Sequence, residues 1–336
     1  MTRWITECAA SLQGGQAFQP PLWLRGGHLQ TLVASQARRE WPVAGQRRWQ
    51  LVRLGDGAQV RILHVQESSP GPTLVLLHGM GGSTDSGYIR GFSEKALRSG
   101  WNVAAANLYN VNPDLGFPRI FHAGCSSDFA EILQRSGLLD RSLVLIGVSL
   151  GGNILLKMLG EWGAAPPHSI RAAAALSPLV DLKESWPLLD QSSSWVYRRH
   201  FVRRLSDLVR RHEEHLHGFV DLDRLRSVRT IRGYDEVITA PLGGFSSVDD
   251  YYRRASARPL LGQIRVPTMV IHASDDPLLP AGPWNDRSVI ENSRLGVSLQ
   301  SHGGHVGFLQ RRQPDDPDRW WAENRIIDFL QTALSR

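Results

Sequence analysis

Four side chains spaced along the chain could together perform acyl transfer: a serine at 149, neighbouring aspartates at 275 and 276, and a histidine at 305. Ser149 lies in Leu143-Val144-Leu145-Ile146-Gly147-Val148-Ser149-Leu150-Gly151-Gly152-Asn153. An apolar run with strand character stops at a Gly-x-Ser-x-Gly, and a helical pattern reopens with Ile154, Leu155, Leu156, Met158 and Leu159. That is the context of a nucleophile elbow, in which a sharp strand-to-helix turn lifts the hydroxyl out of a sheet. The glycines suit it because a bulkier side chain would clash where the helix start passes close to the strand.

Three further features fall where such chemistry needs them. His78-Gly79-Met80-Gly81-Gly82 directly follows the buried run 73–77. A glycine-rich loop there can aim backbone N–H groups at a developing oxyanion, the donors being Met80 and Leu150, the residue after the serine. His78 and Gly79 are expected to border the substrate; a plain strand-to-helix turn fits the same residues. Ser274-Asp275-Asp276-Pro277-Leu278-Leu279-Pro280 follows another apolar strand, and a carboxylate at its tip can orient a histidine and stabilise its imidazolium. Asp276, four residues before Pro280, fits a D-x-x-x-P pattern; Asp275 is then a turn or cap residue, and the reverse assignment stays open. His302-Gly303-Gly304-His305-Val306-Gly307-Phe308 follows the last strand, and the glycines around His305 suit a loop reaching back over a sheet, with His302 at the strand end.

The elements that must position these residues are legible in the apolar patterning. Period-2 alternation at 49–54, a Gly55-Asp56-Gly57 turn and a run at 58–65 predict an antiparallel hairpin. Thr73–Leu77 reads as a central strand buried on both faces. Strands at 101–106, 142–146, 170–176, 267–272 and 297–300 alternate with helical patterns at 127–134, after Ser149 and at 320–334. Alternation of this kind predicts an α/β chain with a mostly parallel, doubly wound sheet. It lapses between Leu179 and Ala257, where charged helical segments predict a helical cap inserted after the sixth strand. The expected division is therefore an irregular arm at 1–46 packed on the domain, a core at 47–178 and 258–336, and a cap at 179–257.

With 336 residues, a net charge of +6 and 21% charged residues, the chain has the composition of an ordinary globular protein. Cys8 and Cys125 lie far apart without metal-ligand spacing, and reduced thiols in a cytoplasmic protein are expected. The amino terminus breaks its apolar run at Glu7, too early for a signal peptide, and no stretch approaches the roughly 18 apolar residues of a membrane span. Arginine pairs at 38–39, 47–48, 198–199, 203–204 and 210–211 could touch phosphates. The cap segment continues into Glu213-Glu214 without a nucleic-acid-binding motif, so a solvated face is favoured and no nucleic-acid partner is expected. A middle reading is weak peripheral contact with an anionic membrane.

In chain order, Ser149 precedes Asp276 and His305, the order found in α/β-hydrolases. The chain resembles the YheT-like branch of that superfamily, also called the AB hydrolase 4 family, from about Phe18 to its end. The resemblance is carried by Pro20-Pro21-Leu22-Trp23-Leu24 with His28-Leu29-Gln30-Thr31, by His78–Gly82, by His122-Ala123-Gly124 within 107–128, and by Gly147–Asn153. It continues through Tyr234-Asp235, Tyr251–Ser256, Asp275-Asp276-Pro277 and Gly303–Phe308. The family's usual N-x-R-G after the fourth strand is replaced by Asn107-Leu108-Tyr109-Asn110, which bears on substrate selection. The resemblance implies an α/β-hydrolase fold and a Ser149–Asp276–His305 triad. It also implies a serine esterase or lipase acting on short- to medium-chain or acylglycerol-type esters, with neither metal nor organic cofactor. Trp195, Phe201, Val202, Leu205, Leu208 and Val209 form an apolar stripe at helical spacing. Trp195, Phe201 and Leu205 are the stripe's candidates for lining an acyl pocket, although packing of the cap onto the sheet is the favoured account of it. Acyl transfer to an alcohol or thiol, thioester hydrolysis, or a non-catalytic binding module with a basic cap surface are the alternatives.

Overall fold

Short apolar runs pair into one eight-stranded sheet in the computed structural model, which describes residues 3–14, 17–41, 46–66, 68–108, 111–112 and 119–336. The strands are β1 (Arg47–Arg53), β2 (Gln59–Val65), β3 (Thr73–Leu77), β4 (Asn102–Asn107), β5 (Leu143–Val148), β6 (Ile170–Leu176), β7 (Thr268–Ala273) and β8 (Leu295–Gln300). Their spatial order is β1-β2-β4-β3-β5-β6-β7-β8. β2 runs antiparallel to β1 and β4, and every other pairing is parallel. Every predicted strand forms, with ends shifted by at most a few residues.

Because side chains alternate across a sheet, each strand feeds two cores. Val75, Leu77, Ala104 and Leu145 face helices α4 (Ser126–Arg135) and α5 (Leu150–Trp162), burying Phe129, Ile132, Ile154 and Leu155. Leu74, Leu76, Val103, Val144 and Ile146 face the opposite way, against Ile89 and Phe92 of α3 (Gly87–Arg98). Each fully buried side chain of this size contributes roughly 2 kcal/mol through removal from water.

The first 46 residues are not the irregular arm expected. Their described part contains two helices, α1 (Arg3–Gln13) and α2 (Gly27–Gln36). Ile5, Ala9 and Leu12 of α1 recur on one face and are buried in the second core. The chain leaving α1 is pinned to β8, because Gln300 donates to Leu12 O at 2.7 Å and accepts from Phe18 N at 2.9 Å. The terminal helix, α9 (Trp321–Leu334), closes that core in chain order after α6 (Leu182–Asp190), α7 (Trp195–Arg210) and α8 (Val248–Ala255).

Between β6 and β7 the chain is helical, with no strand in 177–267. Val209, Leu216, Leu225, Tyr234, Val237 and Ile238 make a separate small core there with Ile120. Asn153 of α5 anchors the end of this insertion: its amide donates to Ala123 O and Ala255 O and accepts from Ala257 N, at 2.8–2.9 Å. Among the described residues no helix is long and apolar enough to cross a membrane. Tyr109 and Asn110, part of the altered family motif, lie outside the described residues.

The β5–α5 turn generates a sharp expectation. A Cβ on Gly151 would stand 2.5 Å from both Leu77 O and His78 O, which are rigid backbone. Alanine's helix propensity is worth about 1 kcal/mol over glycine, whereas overpacking costs about 1–3 kcal/mol, and two rigid carbonyls at 2.5 Å put this site at the upper end. Gly151→Ala is therefore expected to lower the denaturation midpoint in urea substantially; an unchanged or raised midpoint would contradict the packing.

A second expectation concerns acid. Burial holds His78, His122 and His272 near a pKa of about 4, below the ordinary 6.5. The unfolded chain takes up protons at these sites from about 6.5 downward, while the folded chain does not until about 4. Stability therefore falls as pH drops through that window. His272 is fully buried, with neither ring nitrogen hydrogen-bonded among the described residues. Melting followed from pH 7 to pH 4 should show a shallower loss in His272→Met than in the unsubstituted protein.

Candidate active site

In a parallel sheet all strand ends of one polarity lie on one edge, so loops following different strands converge. The loop 78–82 leaves β3, Ser149 follows β5, Asp275 and Asp276 follow β7, and His302 and His305 follow β8. Neighbouring strand ends are in register, Leu77 with Gly147 and Ala273 with Gln300.

Ser149 caps the N-terminus of α5 with φ 53° and ψ −117°. A non-glycine residue in this region is strained by about 1–3 kcal/mol. Three backbone bonds hold it there, Ser149 N donating to Leu176 O at 2.9 Å, and Asn153 N and Leu179 N donating to Ser149 O at 3.1 and 3.2 Å. The hydroxyl lies 2.9 Å from His305 Nε2, and His305 Nδ1 lies 2.8 Å from Asp276 Oδ2. Asp276 Oδ1 accepts from Leu278 N at 2.8 Å and Leu279 N at 3.1 Å. Burial pushes the Asp276 carboxyl up, but His305 and these donors outweigh it and hold the group below its ordinary value. A carboxylate only accepts, so the imidazole proton belongs on Nδ1, leaving Nε2 to accept from Ser149 Oγ.

The two aspartates have different surroundings. Asp275 Oδ1 accepts from Gly304 N at 2.9 Å, bracing the histidine loop, while its other oxygen lies 3.4 Å from His302 Nδ1. Burial raises the Asp275 carboxyl pKa. The site therefore brings Asp276, not Asp275, to His305.

Loop 78–82 lies directly against the serine, since a Cβ on Gly79 would stand 3.1 Å from Ser149 Cβ. Gly79 N donates to the hydroxyl of the half-buried Tyr88 at 2.9 Å, which commits that amide. Leu150 is the first residue of α5, where no intrahelical acceptor exists for its N–H. A cavity of about 410 Å³ opens over the serine, bordered by Met80, Tyr88, Ser149, Tyr197, Phe201 and His305 among others.

Not every sequence candidate borders this cavity. His78 is buried away from it, with Nδ1 donating to Gly79 O at 2.9 Å and Nε2 accepting from Leu108 N at 3.3 Å. It shapes the loop and has no face toward a substrate. Trp195 is 54% exposed and lies outside the lining, which takes Val196, Tyr197, His200, Phe201 and Arg204 from α7. Gly79 and Phe201 do line it. Leu205 lines a second, smaller hollow of about 40 Å³ with Leu150, Phe121, Leu208 and Val209, and Met80 borders both spaces.

Residues from the first 46 also reach the site, which the sequence reading missed. The Thr31 hydroxyl accepts from His305 N at 2.8 Å and donates to Gly27 O at 2.7 Å. A Cβ on Gly27 would overlap the carbonyl of Asp275, so α2 presses directly on the aspartate loop. Gln30, wholly buried, accepts from Leu309 N at 2.8 Å and donates to Leu309 O at 3.0 Å. Ser177 accepts from Val306 N at 3.1 Å. The signature His28-Leu29-Gln30-Thr31 carried the signal, but nothing local assigned it a role.

A family model described as alpha/beta hydrolase fold matches residues 72–311. The Escherichia coli K12 protein YheT, whose name places it provisionally among esterases, is 32% identical over 99% of this chain and 98% of its own length. Human phospholipase ABHD3 is 26% identical over 88% of this chain and 74% of that protein. Zebrafish (Danio rerio) monoacylglycerol lipase ABHD2 is 27% identical over 94% and 79%, respectively. Among solved structures, an esterase of Pyrococcus furiosus superposes with a TM-score of 0.54 at 15% identity, covering 95% of this chain and 98% of that one. With the serine turn, the sheet order and these similarities pointing one way, the chain belongs to the alpha/beta hydrolase family.

Proposed function

We propose that this carboxylic ester hydrolase works through an acyl-enzyme on Ser149, with His305 as general base and Asp276 as the group that orients and stabilises the imidazole. The observation that carries the reading is His305 lying between the two, 2.9 Å from the Ser149 hydroxyl and 2.8 Å from the Asp276 carboxylate. His305 Nε2 takes the hydroxyl proton as Ser149 Oγ bonds to the ester carbonyl carbon. Met80 and Leu150 N–H groups receive the oxyanion, each contributing about 3 kcal/mol to the transition state. The carbon–oxygen bond to the alcohol breaks, and the alcohol leaves with the proton held on His305. Water then repeats the sequence on the acyl-enzyme, releasing the acid and restoring Ser149.

Residues 179–257 act as a cap over a core of 47–178 and 258–336, with residues 1–46 as a packed arm that braces the histidine loop. Phe201 lines the entrance, while Leu205, Leu208 and Val209, with Asp235 and Thr239, line the small hollow beyond Met80, which would receive the end of an acyl chain. The names of the relatives, a phospholipase and a monoacylglycerol lipase, favour lipid esters and water as acceptor over acyl transfer.

On p-nitrophenyl esters from acetate to palmitate, Ser149→Ala is expected to lose activity by at least about 10³-fold while melting like the unsubstituted protein. Full activity in that variant would end the assignment. Asp276→Asn should lower kcat by roughly 10³- to 10⁴-fold, with Asp275→Asn retaining far more; the opposite ranking would exchange their roles. Leu205→Trp, which fills the inner hollow, should lower kcat/KM about tenfold on octanoate and leave acetate within about twofold.

A further inference from the structure

Ten large apolar side chains are exposed among the described residues, and six of them sit on two segments that each reach the Ser149 cavity, through Leu32 and through Val196. Leu22, Trp23, Leu29 and Leu32 come from the first 46 residues, and Trp195 and Val196 from the start of α7, each between 40% and 76% exposed. The two segments touch, since the rings of His28 and Tyr197 stack at 5.7 Å, and Leu32 and Val196 both line the cavity. Scattered exposed apolar residues are ordinary, whereas a concentration around one opening signals a surface that meets something apolar.

The charge around this rim is one-sided. Residues 17–36 and 195–206 together contain five arginines and no aspartate or glutamate. Arg25, Arg199 and Arg204 face no carboxylate at ion-pair distance among the described residues, and Arg203 meets only Asp207, at 3.8 Å. Arg204 packs beside Gly81, its Cδ 3.3 Å from where a Cβ would stand, placing a guanidinium stem at the oxyanion loop.

We propose that this collar docks on the surface of a lipid bilayer containing anionic phospholipid, bringing the cavity mouth to ester lipids in that surface. Tryptophan and leucine side chains insert at the headgroup boundary, and the arginines supply attraction to the negative surface. A protein partner or a second copy would be expected to supply acids against the arginines together with a shape for the protruding Trp23; a membrane surface needs only negative charge and depth. The proposal deepens the esterase reading by giving its substrate a location, and it can fail while that reading stands.

The test is co-sedimentation of the full chain with vesicles of phosphatidylcholine alone or with about one-third phosphatidylglycerol, alongside hydrolysis of soluble p-nitrophenyl butyrate. The protein is expected to sediment with the anionic vesicles at low salt, and far less with neutral ones or at high salt. Leu22→Ser/Trp23→Ser and, separately, Arg199→Glu should each weaken that binding about tenfold or more and leave soluble ester hydrolysis within about twofold. No sedimentation with anionic vesicles, equal binding to neutral ones, or binding unaffected by both variants would overturn the proposal. So would burial of the collar in a stable dimer that ignores vesicles. Loss of soluble ester hydrolysis in the unsubstituted protein would instead strike the esterase reading and leave docking to the sedimentation result.

Discussion

The backbone of Ser149 is the constraint on which the site depends. Its positive φ is a conformation that side-chain-bearing residues avoid, and it persists only because the surroundings over-determine it. Gly147 and Gly151 let α5 start against the ends of β3 and β5, where any Cβ would strike a carbonyl. The bonds from Ser149 N to Leu176 O and from Asn153 N to Ser149 O then fix the turn from two sides. The result is a hydroxyl held clear of the sheet, with the first amide of a helix beside it, before any substrate arrives.

A rigid serine is useful only if the histidine is equally constrained, and His305 sits on a loop far less regular than a strand end. Val306 and Phe308 both have positive φ, so this loop too is strained. It is held from outside the sheet: Thr31 takes the amide of His305, Asp275 takes that of Gly304, Ser177 takes that of Val306, and Gln30 clamps Leu309. Division of labour between adjacent aspartates follows, one bracing the loop and the other facing the imidazole. Loop 78–82 is fixed in the same way, by His78 on one side and Tyr88 on the other.

The sheet was readable because buried parallel strands are short apolar runs, and Thr73–Leu77 and Ile170–Leu176 begin and end where their patterns do. The serine turn was readable because its glycines and flanking patterns are local. What escaped is non-local. Ile5, Ala9 and Leu12 do recur at helical spacing, but the Pro- and Gly-rich stretch after them masked α1 as part of an irregular arm. Gln30 and Thr31 meet partners more than 270 residues away, which no spacing reveals. Trp195 shows the limit of periodicity: it shares a seven-residue spacing with Val202 and Val209, which are buried, yet stands exposed. Spacing tells which side chains share a face and not whether another element covers it.

The central claim is that Ser149 is a nucleophile activated by His305, and covalent labelling tests it without reference to any substrate. Incubation with a fluorophosphonate followed by peptide mass spectrometry should place one adduct on Ser149, and His305→Ala should slow that labelling by at least about 10²-fold. An adduct on another residue, none on the folded protein, or labelling of Ser149 that is equally fast without His305 would contradict the account.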